Sequence, residues 1–269
     1  MLKIGIVGCG TIGKVLAHAI EDRFYPKACL SSIYDVDLMK AASLAKELKR
    51  RAYVALTLDK LIWRSHLVIE SASAQASRDI ALRVIKQGRD ILIMSIGGII
   101  NYPALFDEAK KHNRKIYLPS GAIGGIDALR AGSIAKITQV TLTTRKPPHS
   151  FNDAPYIIEK KIDLSKIDGE VLLFEGSAEE AVKGFPQNVN IAALLSLAGI
   201  GAKNTLVRIV ASPFYKYNIH EIEFEGNFGK FTARIENFPM PDNPKTSYLA
   251  ALSAIATLEN ILGNVKLGT

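Results

Sequence analysis

The stretch that most restricts the fold is "LKIGIVGCGTIG", residues 2–13. Its first half is a short, nearly all-apolar run, as a strand buried on both faces requires. The run ends in Gly8, Gly10 and Gly13, spaced G-x-G-x-x-G. A helical pattern follows from about Ile12 to Asp22, with Val15, Leu16, Ala19 and Ile20 on one face. In such a strand–loop–helix unit the first glycine permits the tight turn and the second lets backbone approach a pyrophosphate. The third lets helix pack closely on strand. Free N–H groups and the dipole at the helix start favour the anion. Asp35 ends the next strand, roughly 20 positions beyond Gly13, where a carboxylate takes a ribose 2′-hydroxyl. A carboxylate there repels an added phosphate, so NAD is favoured over NADP, without a strict preference. The expected cofactor contacts are Gly8, Gly10, Thr11, Ile12, Gly13 and Asp35, with Ala72 and Ser73 at the end of "HLVIESAS".

Strand and helix patterns keep alternating as far as Gly125. After "SIYDV" a helix is expected from about Leu38 to Lys49, then the strand "HLVIESAS" and the helical "QASRDIALRVIKQG", with Gly88 as its C-cap. "DILIMSIGG", "YPALFDEAKKHN" and "KIYLPSG" read as strand, helix and strand. This order implies βαβ units and a doubly wound parallel sheet, a Rossmann fold. Beyond Gly125 the strands group together: "ITQVTLTTRK", "VLLFEGS", "TLVRIVASP", "YNIHEIEFEG" and "GKFTARIENF". Helical stretches are expected near Ala178–Lys183 and Val189–Leu197, and "PPHSFNDAP" reads as a loop. "PMPDNPKTS" breaks the chain before a last helix, about Ser247 to Leu262. Grouped strands predict an α+β second domain on a mostly antiparallel sheet. The expected division is a dinucleotide-binding domain over 1–123, completed by the C-terminal helix within 245–269, and a substrate and catalytic domain over 124–244.

Composition narrows the function classes. The 269 residues are 48% hydrophobic and 22% charged, as in an ordinary globular protein. No run approaches the ~18 apolar residues of a membrane span, and a start running straight into a strand leaves no room for a signal peptide. Cys9 and Cys29 make neither a disulfide framework nor a metal cluster, so both are expected reduced, in a cytoplasmic protein. The net charge of +8 suits an anionic ligand, but its lysines and arginines are scattered along the sequence, and no nucleic-acid partner is expected. The densest cluster, Lys49 to Arg51, falls where a helix should end and would complement its dipole. No histidine lies in metal-ligand spacing with a second ligand, so no metal site is expected.

The second group of candidates begins with "LPSGAIGGIDAL", where Ser120, Gly121, Ala122 and Gly124 form a backbone-exposing loop beyond a strand end. That edge of an open parallel sheet is where ligands bind, although glycines also serve a plain hinge. "GFPQNVNIAALL" sets Asn188 and Asn190 at a helix start, for capping or for holding a carboxamide or carboxylate. Arg145 and Lys146 are candidate carboxylate binders, with solvated charges the plainer reading. In "YNIHEIEFEG" alternation puts His220, Ile222 and Phe224 on one face and Glu221, Glu223 and Glu225 on the other. His220 is then either a hydrogen-bonded core histidine or a base turned toward a substrate.

With "GIVGCGTIG", "LPSGAIGGIDAL", "FPQNVNIAA" and "NIHEIEFEG" in this order, the chain resembles the L-aspartate dehydrogenase family over nearly its whole length. The resemblance implies NAD(P)-dependent oxidation of L-aspartate to iminoaspartate, which hydrolyses to oxaloacetate and ammonia. It also implies supply of iminoaspartate to NAD biosynthesis, and a homodimer with dimerisation assigned to the second domain. By the same resemblance His220 is the catalytic histidine, and Gly124, where several relatives carry Ala, and Asn190 are cofactor-contacting positions. Ser120, Gly121, Ala122 and Asn188 complete the candidate substrate set. Related two-domain reductases, dihydrodipicolinate-reductase-like or homoserine-dehydrogenase-like, are the alternative, followed by a non-catalytic NAD-sensing regulator.

Overall fold

The structure, a computed structural model, describes residues 1–186, 189–240 and 243–267. It divides into two compact units, Met1–Pro119 with Ala251–Lys266, and Ser120–Ala250.

The first unit runs β1 (Leu2–Val7), α1 (Thr11–Arg23), β2 (Ala28–Tyr34), α2 (Leu38–Glu47), β3 (Tyr53–Val54), α3 (Leu58–Trp63), β4 (Leu67–Glu70), α4 (Ala74–Lys86), β5 (Asp90–Ile93), α5 (Ala104–Lys111) and β6 (Ile116–Tyr117). The sheet order is β3-β2-β1-β4-β5-β6 and every pair is parallel. β1 and β4 sit in the middle, and all of β4 and the last four residues of β1 are buried, which is why they read as unbroken apolar runs. The order reverses between β1 and β4, the switch point at which such sheets bind ligands. Asp37, Thr57 and Ser73 cap α2, α3 and α4 with their side chains. Gly88 ends α4 at φ +72°, where a Cβ is disfavoured. α2 stops at Glu47, short of the expected Lys49. The cluster Lys49–Arg51 therefore lies beyond the helix, with Lys49 Nζ 2.7 Å from Asp22 and Arg50 stacked 3.9 Å over the Tyr25 ring. β3 and α3 were not anticipated, because so few residues display no period.

The second unit comprises α6 (Ile126–Gly132), β7 (Ile137–Lys146), α7 (Pro155–Glu159), β8 (Val171–Ser177), α8 (Ala178–Gly184), α9 (Asn190–Ala198), β9 (Thr205–Ala211), β10 (Asn218–Gly226), β11 (Gly229–Asn237), β12 (Pro239–Met240) and β13 (Asn243–Ser247). Its main sheet has the order β11-β10-β7-β9-β8, with β7–β9 parallel and the other three pairs antiparallel. Two expectations are corrected. "PPHSFNDAP" holds a 3₁₀ turn at Pro148–Phe151 and the start of α7, because Phe151 is wholly buried, edge-on to Phe185 with ring centroids 6.1 Å apart. Within "PMPDNPKTS" lies a small antiparallel pairing of β12 with β13. α6, also unanticipated, starts at Gly125, which holds φ +78°. The last helix, α10 (Tyr248–Leu262), puts Ala254 and Leu258 into the first unit's core beside Ile6, Leu16 and Ile20.

Candidate active site

The three glycines after β1 meet three different environments. Gly8 holds φ +93°, and a Cβ there would stand 2.5 Å from Ser71 O, so the turn rests directly on the end of β4. A Cβ on Gly13 would overlap Gly8 O, which is how closely α1 packs on the loop. Around Gly10 nothing lies within 4 Å of the position a Cβ would take. Gly10 also N-caps α1 without a side-chain hydrogen bond, and no acid stands in the first turn, which opens with Thr11 and Ile12. Open space before uncapped N–H groups is a fit for a pyrophosphate. Asp35 Oδ2 accepts from Cys9 N at 2.7 Å and Oδ1 from Asp37 N at 2.9 Å. Each oxygen keeps a lone pair for a hydroxyl. Cys9 beside it is inert: burial first, then the Asp35 charge, pushes its thiol up to about 12.

Sequence reasoning passed over Glu70, which closes the apolar β4. Its carboxylate is wholly buried and accepts from Ala72 N (2.9 Å), Ser95 N (3.0 Å) and Ser77 Oγ (3.2 Å). One acid therefore joins the loop after β4, which exposes Ala72 and Ser73, to the loop after β5. Burial raises its pKa against the pull of these hydrogen bonds. An acid terminating a hydrophobic strand was the available signal.

In the second unit the antiparallel register puts His220 opposite Thr144, Ile222 opposite Leu142 and Phe224 opposite Val140. His220 is 3% exposed, and its Nδ1 lies 3.1 Å from Thr144 Oγ1. Lys146, two residues along from Thr144, shares that face and is 5% exposed, which corrects its reading as a solvated charge. Burial lowers the Lys146 ammonium to about 8. Burial and then the Lys146 charge lower His220 to about 3, so the imidazole is neutral. Asn218, on the same face, donates to Ser247 Oγ at 3.3 Å and pairs in register with Asn237. Asn237 Nδ2 in turn donates to Ala122 O at 3.0 Å, tying the Ser120–Ala122 loop to the His220 end of the sheet. Thr144, Asn218 and Asn237 were missed because polar residues on an apolar face show up only once the strands are in register. Arg145 faces the other way and pairs with Glu221 at 3.0 Å.

The remaining candidates are placed as follows. Gly121 holds φ +67°, whereas Gly124 is exposed with open space where a Cβ would stand. Asn190 is the exposed first residue of α9, but the N-cap is Val189 and no side chain caps the helix. Asn188 lies outside the described residues. Among those described, no group of three or more His, Cys, Asp or Glu is set to hold a metal, and no helix is long and apolar enough to cross a membrane.

Comparison with known proteins agrees with this layout. Residues 127–261 match the family model "Aspartate dehydrogenase, C-terminal", and residues 8–119 match "Homoserine dehydrogenase, NAD binding domain". The L-aspartate dehydrogenase of Methanosarcina mazei is 50% identical over the full length of both chains, and that of Nitrosopumilus maritimus 39% identical, also over both full lengths. The crystal structure of aspartate dehydrogenase from Thermotoga maritima superposes with a TM-score of 0.78 at 27% identity, covering all of both chains.

Proposed function

The chain belongs to the L-aspartate dehydrogenase family, and from that premise we propose that its neutral, buried His220 is the base for NAD-dependent oxidation of L-aspartate to iminoaspartate. The observation that carries this reading is His220 seated against Thr144 and beside Lys146 on one buried sheet face. Bound NAD supplies the nicotinamide that accepts a hydride from the substrate α-carbon. Gly8, Gly10, Thr11, Ile12 and Gly13 hold its pyrophosphate, Asp35 a ribose hydroxyl, and Ala72 and Ser73 line the neighbouring loop. Family resemblance adds Gly124 and Asn190 to this set.

Oxidation of an amine to an imine requires the substrate ammonium to lose a proton. With the Nδ1 hydrogen donated to Thr144 Oγ1, His220 Nε2 keeps its lone pair for that proton. The Lys146 charge disfavours imidazolium, and a bound dicarboxylate beside the pair offsets it, so basicity rises when substrate arrives. Lys146 holds one substrate carboxylate, and the Ser120–Ala122 loop, fixed by Asn237, lines the substrate site. A homodimer, a cytoplasmic location and delivery of iminoaspartate to NAD biosynthesis belong to the same proposal. The test is absorbance at the NADH band with NAD and a panel of substrates. Turnover of L-aspartate is expected; turnover of homoserine without L-aspartate would overturn the assignment.

A further inference from the structure

We propose that the first unit carries a second ligand site, at the N-terminal edge of its parallel sheet, that binds a nucleoside polyphosphate. A cavity of about 610 Å³ opens there, within the usual ~300–1,000 Å³ of small-molecule sites. Its walls come from strand beginnings: Lys3 on β1, Ala28 to Ser31 on β2, His66 just before β4 and Arg89 just before β5. The glycine loop follows the other end of β1, so the two sites occupy opposite edges of one sheet.

Charge sets this cavity apart. Lys3, Arg50, Arg51, Arg64 and Arg89 line it, gathered by the fold from positions scattered along the sequence. Among the described residues none of the five is in an ion pair, while neighbouring cations are: Lys49 with Asp22 and Arg83 with Asp59, both at 2.7 Å. The acid on the wall, Glu21, is buried, and its carboxylate is occupied by Lys49 N at 3.0 Å and Arg50 N at 2.7 Å. Like charges gathered this closely repel, and an anion entering the cavity relieves that repulsion. Arginine forks match phosphate oxygens two at a time, which favours phosphates over a simple carboxylate. Two of the forks are already steadied by stacking, Arg50 on Tyr25 at 3.9 Å and Arg64 on Tyr53 at 4.3 Å. Arg89 Nε is buried without a hydrogen-bond partner among the described residues, so turning the guanidinium toward a phosphate gives it one.

Trp63 supplies the remaining part of the ligand class. It lies on the cavity wall at 73% exposure, an uncovered indole beside clustered cations, and a nucleobase stacks on such a ring. A nucleic-acid strand is usually held in a groove with successive aromatic platforms. Here a single tryptophan borders a cavity sized for one nucleotide, which selects the free nucleotide.

Trp63 is the only tryptophan in the chain, so its fluorescence reports on this site. ATP is titrated into the protein held at saturating NAD, with pyrophosphate and a short single-stranded oligonucleotide in parallel. Saturable quenching by ATP is expected. In Arg50→Glu/Arg64→Glu the ATP dissociation constant should rise at least tenfold while KM for NAD stays within about twofold. Trp63→Ala, followed by equilibrium dialysis of labelled ATP, should also weaken binding. The proposal is overturned by any of four results: no saturable quenching, quenching retained in the double variant, pyrophosphate binding as tightly as ATP, or the oligonucleotide binding more tightly than ATP.

Discussion

Glu70 offers the sharpest test of how the first unit is held together, since one buried carboxylate satisfies three donors. In Glu70→Ala the N–H groups of Ala72 and Ser95 and the hydroxyl of Ser77 lose their acceptor. The buried Ser77 hydroxyl left without an acceptor costs about 1–3 kcal/mol, and the half-buried Ser95 N–H and the N–H of exposed Ala72, which water can reach, cost less. Relief from burying a carboxylate offsets part of this, since burial raises the Glu70 pKa. A net loss of roughly 2–4 kcal/mol follows, or on the order of 10 °C in Tm for a chain of this size. Glu70→Gln keeps one acceptor, for Ala72 N. Its amide can donate to Ser77 Oγ but faces Ser95 N donor to donor, so one donor is lost, at about 1–3 kcal/mol. Because the same acid shapes the loop of Ala72 and Ser73, KM for NAD should rise in both variants, more in the alanine. The assay is thermal unfolding by circular dichroism alongside NAD kinetics. A Glu70→Ala protein melting within about 2 °C of the parent would refute the reasoning.

Other expected outcomes follow from single observations. Gly10→Ala should fold with nearly unchanged Tm, because the Cβ enters open space, yet raise KM for NAD at least tenfold; Gly13→Ala should lower Tm, its Cβ overlapping Gly8 O. Gly124→Ala should be tolerated and gain about 0.4–1 kcal/mol, whereas Gly125→Ala, at φ +78° and 2.7 Å from the Phe231 ring, should lose at least ~1–2 kcal/mol by chemical denaturation. Lys146→Met should raise both Tm, by removing a buried charge, and KM for L-aspartate. Between about pH 3 and 6.5 the unfolded chain binds a proton at His220 that the folded chain does not, so this contribution to stability is complete above 6.5 and is lost as pH falls toward 3. Melting temperatures of His220→Gln should therefore vary less with pH across that window than those of the parent.

How much of this was legible in the sequence depends on whether a feature has a period. The Rossmann half was readable because β1 and β4, buried on both faces, leave unbroken apolar runs, and because glycines carry their backbone demands in their spacing. The second half was readable as strands, since β7 is rich in Thr and Val and β10 alternates. The environment of His220 was not. It arises from pairing residue 220 with residue 144 across two strands distant in sequence, and no local pattern fixes that register. Lys146 looked like an exposed end of "TTRK" for the same reason. "PPHSFNDAP" looked like a loop because its proline and asparagine content outweighed Phe151, which packs on Phe185 at the end of α8, itself in contact with Tyr156 of α7 and Phe174 of β8. Clustering of Lys3, Arg50, Arg51, Arg64 and Arg89 was equally hidden, since four segments contribute one residue or two each.

The central claim is that His220 handles the proton and takes no part in holding the cofactor. The direct measurement is kcat with L-aspartate, together with the dissociation constant for NAD, in His220→Ala. The account predicts that kcat falls at least a hundredfold while NAD affinity stays within about twofold. Activity retained, or NAD affinity lost in proportion to activity, would contradict it.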